Sequence, residues 1–469
     1  MSKTEKLRNL PSVDEVLRSP ALAALRGSLP HRRLSQWARE SIQFCREEIL
    51  SGDADHDASW LHRVVHLIER RQQADSGQLI QRVINGTGVV LHTNLGRAPL
   101  AKEAITRMRA ATGYANVELD LHTGRRCKRG ARIARQIAQL VGAEDAVIVN
   151  NCAAATMLVL QATAFQKEVI VSRGQLVEIG GGFRLPDVFR ASGVQLREVG
   201  TTNRTYLKDY EDAINDCTGA LIRVHRSNFQ LSGFVTEPSV DELVSIDRPN
   251  DVPVIDDLGS GCVEDLAALG LHEPTVTQSV SSGAELTLFS GDKLFGGPQC
   301  GMIVGKSEWI DRLRICPMMR AMRVDKLTLA ALEATVEIHL AGNAKHEIPV
   351  LQMLYAEPDA LRDRCRRLTD ALSAYSNLEI LPCDSPVGGG SVPGAARPGY
   401  AIKINVDNVD ELAKVLREGS PAVQTRVTDD AVWIDVRTVA EEEMEPLQQR
   451  LSLALGGVVL DTDEEESKE

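Results

Sequence analysis

The chain has 469 residues, 43% of them apolar, which is enough for two or three domains with a large core and excludes a disordered chain. Its net charge of −12 argues against a general nucleic-acid-coating protein. A net negative charge is still compatible with an RNA-binding face on part of the surface. We expect no DNA partner. Nine cysteines without a CxxC pair predict reduced thiols rather than disulfides or a metal site. Because the sequence shows neither a leader nor an apolar run of about 18 residues, we expect a cytoplasmic protein without a membrane partner.

Residues 1–78 predict a helical N-terminal domain. Apolar residues recur every three or four positions in the stretches SVDEVLRS, RRLSQWARESIQFCREEIL and ASWLHRVVHLIERRQQ. Pro11, Pro20 and Pro30 separate the short helical segments. The charge of this domain is close to neutral, with local basic clusters such as PHRRLSQWAR.

Residues 79–338 predict a large α/β domain. Short apolar strands alternate with helical stretches, and these strands are DAVIVN, EVIVSR, ALIRVH, VPVIDD, LTLFSG and CGMIVG. Strands this apolar, separated by helices, indicate a mainly parallel sheet with helices on both faces. Residues 339–458 predict a small α+β C-terminal domain, since YAIKINV and AVWIDV have the pattern of strands and Asn408 begins an amphipathic helix. The acidic segment 459–469 predicts a disordered tail.

Two strand ends of the α/β domain carry polar or small residues, and ligands in such sheets gather at strand ends. In the first, Asn151, Cys152 and Ala153 begin a helix, where small side chains let a phosphate reach free backbone N–H groups. An ordinary tight turn is the alternative. In the second, VPVIDDLGSG, the strand delivers Asp256 and Asp257. A carboxylate there can pair with a protonated ring nitrogen or with a metal, or can merely cap the turn.

A third junction, FSGDKLFGGPQCG, holds Lys293 in an apolar, glycine-lined turn. Loss of solvation lowers the pKa of an amine and frees it as nucleophile and base, whereas a surface lysine beside a loop is the alternative. The order of helix start, acid and Ser-x-x-Lys is similar to that of fold type I pyridoxal-phosphate enzymes. That resemblance implies a Schiff base on Lys293, with Ser290 and the helix start at the cofactor phosphate. It also implies Asp257 at the ring nitrogen, with Asp256 as the second choice, and Asn228 beside the cofactor's 3′ oxygen.

Several longer segments of the sequence resemble the bacterial selenocysteine synthases, the L-seryl-tRNA(Sec) selenium transferases, and the resemblance extends over about residues 5–455. The segments that carry this resemblance are VINGTGVVLHTNLGRAPL, SRGQLVEIGGGFRLPDV, EVGTTNRTYLKDY, DDLGSG, SGDKLFGGPQCGMIVG, RAMRVDKLTLAALEAT and VGGGSVPG. The resemblance implies pyridoxal 5′-phosphate as cofactor, serine-charged tRNA(Sec) and selenophosphate as substrates, and a homodecamer built as a pentamer of dimers. It also implies tRNA recognition by the N-terminal domain, for which a purely oligomer-building role is the alternative.

The same resemblance implies a reaction. Lys293 is displaced by the seryl amine in an external aldimine and then removes the Cα proton. Loss of the hydroxyl gives a dehydroalanyl-tRNA, to which selenium adds. Arg97, Arg320 and Arg323 are implied at the anionic substrates, although a solvated helix face is the alternative for the last two. Asp292 is implied at the catalytic site, where it orients a water or tunes Lys293.

Two other functions compete with this one. A related pyridoxal-phosphate lyase acting on a small amino acid or an amino-sugar phosphate would use the same core, but such relatives generally lack the helical residues 1–75. A tRNA-binding scaffold without catalysis is the second rival, and the presence of Lys293, Asp257 and the small-residue helix start argues against it.

Overall fold

The computed structural model of the chain describes residues 3–51, 59–77, 80–179 and 181–466. Two compact units divide the chain, residues 1–82 and residues 83–469. None of the described helices is both long and apolar enough to cross a membrane.

The N-terminal unit is helical. Its helices are α1 Lys3–Arg8, α2 Val13–Arg18, α3 Ala23–Ser28, α4 His31–Ser51 and α5 Trp60–Gly77. α4 buries one stripe of side chains at three-to-four spacing, including Leu34, Ala38 and Ile42, and this stripe packs against Val64 and other residues of α5. The period of the apolar residues therefore explains how two long helices share one small core.

The second unit contains the remaining strands and helices. The strands are β1 Val83–Asn85, β2 Asp145–Val149, β3 Glu168–Ser172, β4 Glu178–Ile179, β5 Phe183–Arg184, β6 Gln195–Val199, β7 Thr218–Val224, β8 Val254–Gly259, β9 Leu286–Ser290, β10 Gly301–Gly305, β11 Leu378–Pro386, β12 Ala396–Ile404, β13 Ala422–Gln424, β14 Arg426–Thr428 and β15 Ala431–Asp435. The helices are α6 Lys102–Ala110, α7 Ala131–Val141, α8 Cys152–Ala164, α9 Leu185–Ala191, α10 Leu207–Glu211, α11 Val240–Ser245, α12 Val276–Ser281, α13 Ser307–Ile315, α14 Pro317–Ala321, α15 Lys326–Leu340, α16 Ala344–Glu347, α17 Pro349–Tyr355, α18 Pro358–Ala371, α19 Val409–Glu418 and α20 Met444–Glu466.

A seven-stranded sheet forms the centre of this unit, in the order β2-β10-β9-β8-β7-β3-β6. β10 pairs antiparallel with both of its neighbours, and the other neighbouring strands pair in parallel. α8 and α13 pack in the core on one face of the sheet, and α7 and α15 pack in a second core with residues of the other face. The mainly parallel, doubly covered sheet predicted from the sequence is thereby confirmed.

A smaller four-stranded antiparallel sheet, in the order β11-β12-β15-β14, has its own core with α18, α19 and α20. β1 pairs in parallel with β13, and Ile84 lies in this second core, so residues 83–85 belong with the C-terminal section rather than with the large sheet. α20 extends to Glu466, into the segment expected to be a disordered tail, and residues 467–469 lie outside the described residues.

Candidate active site

Lys293 lies at the carboxyl end of β9, three residues after Ser290. Its side chain is buried, with 8% of the residue exposed. Burial lowers the pKa of the Lys293 amine, and the positive charge of Arg97 acts in the same direction. The negative charges of nearby Asp292 and Asp257 oppose that shift. A buried amine with a lowered pKa is suited to act as nucleophile and proton acceptor near neutral pH.

Two glycines leave room around this amine. A methyl group added at Gly390 would come within 2.8 Å of Lys293 Nζ and Cε, and one added at Gly259 would come within 3.7 Å of Nζ. The Gly259 methyl group would also lie 3.9 Å from Ser227 Oγ. Both glycines have positive φ, which L-residues adopt at a cost. The site therefore requires glycine at Gly390 for space as well as for conformation.

Asp257 and Asp256 stand next to each other on β8, so their side chains point to opposite faces of the sheet. Asp257 faces α8, where Thr156 Oγ1 donates to its Oδ2 at 2.9 Å and the Cys152 thiol lies 3.8 Å from its Oδ1. Asp256 is fully buried and accepts a hydrogen bond from Arg223 at 3.0 Å. Burial raises the pKa of Asp257 to about 6, while Thr156 and the charge of Lys293 act in the opposite direction. Of the two acids, Asp257 is the one associated with Lys293.

The start of α8 lies beside Asp257. Asn151 is the N-cap residue, and its Oδ1 accepts a hydrogen bond from the Ala154 N–H at 2.8 Å. Cys152 and Ala153 occupy the first helical turn, whose N–H groups have no partner within a helix. The structure thus brings Asn151, Cys152 and Ala153 to the same place as Asp257 and Lys293. Burial, followed by the charge of Asp257, raises the pKa of the Cys152 thiol, which is therefore neutral.

Asp292 accepts two hydrogen bonds. Ser290 Oγ donates to its Oδ1 and Arg97 Nη1 donates to its Oδ2, both at 2.8 Å. Arg97 has a φ of 64°, a conformation that a non-glycine residue rarely adopts. Such strain is typical of functional sites. Asp292, Ser290 and Arg97 therefore form one linked group next to Lys293, which explains why an acid stands before the lysine.

For three other predicted residues, the described contacts do not include Lys293 or Asp257. Asn228 is exposed, and its Nδ2 donates to the Glu178 carbonyl oxygen at 2.9 Å, so its described hydrogen bond is to β4 and not to Lys293 or Asp257. Arg320 is exposed on α14. Arg323 follows α14 and lies 3.5 Å from Glu118.

Arg323 also lines a surface cavity of about 410 Å³ that the sequence analysis overlooked. Glu118, Arg126, Cys127, Lys128 and Arg129 line the rest of this cavity. Its cations outnumber its single acid, so it is suited to an anion. The signal for it was the basic run GRRCKRGAR at residues 124–132.

The buried residues around Lys293 fit pyridoxal phosphate. The amine of Lys293 can carry its aldehyde, and the Asp257 carboxylate can stand at a protonated ring nitrogen. The free N–H groups at the start of α8 suit its phosphate. Thr156, which orients Asp257, was not predicted, although a threonine four residues after Cys152 faces the same side of a helix.

Comparison with known proteins agrees with this geometry. The family model for L-seryl-tRNA selenium transferase matches residues 83–440, and the model for the selenocysteine synthase N terminal matches residues 7–46. The L-seryl-tRNA(Sec) selenium transferase of Carboxydothermus hydrogenoformans is 43% identical over 464 residues, covering 97% of this chain and 99% of its own. That of Nitratidesulfovibrio vulgaris is 43% identical over 467 residues, covering 96% and 99%.

Among solved structures, D-glucosaminate-6-phosphate ammonia-lyase is similar in fold, with a TM-score of 0.55 at 22% identity. The similarity covers 83% of this chain and 99% of the lyase chain. The predicted fold type I architecture is confirmed by this likeness and by the sheet order. Given the extent of both matches, the chain belongs to the L-seryl-tRNA selenium transferase family.

Proposed function

We propose that this chain is a pyridoxal-phosphate-dependent L-seryl-tRNA(Sec) selenium transferase, which converts seryl-tRNA(Sec) to selenocysteinyl-tRNA(Sec). The observation that carries the proposal is 43% identity to transferases of that name over almost the whole of both chains. In the net reaction the Cβ–O bond of the seryl group breaks and a Cβ–Se bond forms. Water cleaves the P–Se bond of the selenium donor, which balances the water lost from the seryl group, and inorganic phosphate is the by-product. Selenophosphate is the proposed selenium donor, and the cytoplasm, where charged tRNA is used, is the proposed location.

The chemistry at Cα requires a proton acceptor. When bound, pyridoxal phosphate supplies an electron sink that acidifies the substrate Cα–H. Lys293 Nζ is the residue that accepts this proton, because its lowered pKa leaves part of the amine neutral. Asp257 would hold a negative charge beside the ring nitrogen of the bound cofactor, and Thr156 fixes the orientation of its carboxylate.

Two anions have to be bound, the 3′ end of the tRNA and the selenium donor. Arg97 is held beside Lys293 by Asp292, and its planar guanidinium retains further donors for an oxyanion. Arg320 and Arg323 are the second pair of arginines proposed to bind these anions. Arg323 shares its basic cavity with Arg126 and Arg129, which add further positive charge. We propose that these arginines serve sites completed by a neighbouring copy in a homodecamer.

The helical unit of residues 1–82 is the proposed tRNA-recognition element. Its charge is near neutral, so recognition of tRNA shape suits it better than general attraction to phosphate. Removal of this unit is expected to raise KM for seryl-tRNA(Sec) while leaving cofactor absorbance unchanged.

A substrate panel tests the proposal against its enzyme rival. The cofactor-loaded protein is incubated with selenophosphate and seryl-tRNA(Sec), and separately with a free amino-sugar acid. We expect selenium bound to the tRNA and no ammonia from the amino-sugar acid. Release of ammonia from the sugar acid, with seryl-tRNA(Sec) left unchanged, would assign the chain to the lyases instead.

A further inference from the structure

The glycine-rich loop of residues 388–391 covers the Lys293 amine. It follows β11, and Gly388 lies against Leu91, whose N–H donates to the carbonyl oxygen of Val387 at 2.8 Å. Gly390 is so close to Lys293 that a methyl group on it would lie 2.8 Å from Nζ. The loop therefore sets how much room the amine has.

Val392 directly follows this loop and has a strained backbone conformation. Its φ is 39°, in the left-handed region that β-branched residues avoid. A residue is held there only when the surrounding contacts fix it. The Val392 N–H donates to Glu273 Oε2 at 2.9 Å, and Val392 is buried. Glu273 thus holds the strained end of the loop.

The other carboxylate oxygen of Glu273 faces His225. Its Oε1 lies 3.3 Å from His225 Nε2, and the Glu273 side chain is only 1% exposed. Neither atom makes a hydrogen bond of good geometry within the described residues, so the two side chains are in contact without a hydrogen bond between them. The backbone N–H of His225 donates to the backbone carbonyl oxygen of Asp257 at 2.8 Å. Glu273 therefore connects the loop over Lys293 to the strand end that carries Asp257.

We infer that Glu273 is a positioning residue that fixes the glycine-rich loop over the Lys293 amine. It does so by accepting a hydrogen bond from the Val392 N–H and by contacting His225, so that Gly390 and Asp257 keep fixed positions near the amine. For its effect on turnover this inference rests on the proposed function. For its effect on the loop it rests on the Glu273 contacts alone.

Hydrogen exchange of full-length, cofactor-loaded protein tests the inference without any tRNA. Glu273→Ala removes the acceptor for Val392, whereas Glu273→Gln keeps an amide oxygen that can accept the same bond. We expect the Val392 amide to exchange at least about tenfold faster in Glu273→Ala than in the wild type, with most of the protection restored in Glu273→Gln. Glu264→Ala is the matched control, because Glu264 belongs to another Glu–His pair, 3.7 Å from His339.

Two further readouts relate the loop to the amine. Borohydride reduction of the bound cofactor is expected to be faster in Glu273→Ala, and kcat is expected to fall more than tenfold with KM for tRNA little changed. Equal exchange of the Val392 amide in wild type and Glu273→Ala would overturn the inference. An increase in Val392 exchange in Glu264→Ala as large as that in Glu273→Ala would overturn it too. If wild-type protein protects Val392 but transfers no selenium to seryl-tRNA(Sec), the proposed function fails while the positioning role of Glu273 stands.

Discussion

Asp257→Asn is predicted to make the cofactor-free protein more stable at alkaline pH. Burial raises the pKa of Asp257 from 3.8 to about 6, and the group lies in the interior, so no solvent screening reduces the effect. A difference of about two pH units, at ~1.4 kcal/mol each, corresponds to about 3 kcal/mol. The folded protein binds this proton more tightly than the unfolded chain does. Its stability therefore falls as pH rises from 3.8 to about 6, and the full cost remains above that range.

Asparagine removes this cost because it carries no charge, and its amide oxygen can still accept from Thr156. Urea unfolding of cofactor-free wild type and variant at pH 5 and pH 8 measures the effect. We expect the variant to be more stable at pH 8 by up to about 3 kcal/mol, and its advantage to be roughly half as large at pH 5. Asp256→Asn is the control, since it removes the buried negative charge that faces Arg223 and is expected to destabilise at both pH values.

An Asp257→Asn protein no more stable than the wild type at pH 8 would show that the buried charge of Asp257 has no cost in stability, and so would an advantage that does not change with pH. The same variant is expected to lose at least about a hundredfold in kcat once cofactor is bound, because the neutral amide cannot hold the ring nitrogen protonated. Together these results would identify Asp257 as a residue whose charge serves the reaction at the expense of stability.

Three further variants test the other residues of the site. Lys293→Ala is expected to lose the cofactor absorbance that borohydride can reduce and to lower turnover at least about a thousandfold; retention of either contradicts the assignment. Asp292→Asn removes a negative charge that raises the pKa of Lys293, so the acid limb of the kcat/KM profile should move to lower pH, and an upward shift would contradict this. Arg323→Ala is expected to keep the cofactor absorbance but to lose at least about tenfold in selenium transfer. The control is Arg312→Ala, which removes a cation stacked on Trp309 and is expected to keep both cofactor absorbance and selenium transfer. Equal losses of selenium transfer in the Arg323 and Arg312 variants would show a nonspecific charge effect.

The large sheet and the position of Lys293 could be predicted because their signals are local. Strands β7 to β10 are mainly apolar and almost entirely buried, and such a strand between helices fits best in the interior of a sheet. Asp257 lies near the carboxyl end of one such strand, and Lys293 follows another. Because β8 and β9 are parallel neighbours, their carboxyl ends meet at one edge of the sheet.

What could not be predicted depends on contacts between distant parts of the chain. The partner of Asp292 is Arg97, which lies 195 residues earlier, and no spacing rule connects them. Gly390 reaches Lys293 from a loop nearly a hundred residues later. The position of Asn228 was carried over from a general family pattern, but in this chain its amide bonds to the backbone of Glu178. Its role beside the cofactor stays a prediction.

In the proposed reaction, selenium replaces the seryl hydroxyl after Lys293 has removed the Cα proton. The most direct measurement is the mass of the aminoacyl group released from tRNA after the cofactor-loaded protein has acted on seryl-tRNA(Sec) and selenophosphate in D₂O. We predict selenocysteine carrying one solvent deuteron at Cα, because a proton removed to the amine exchanges before Cα is reprotonated. Selenocysteine without deuterium would mean displacement at Cβ alone, and unchanged serine would contradict the proposed function itself.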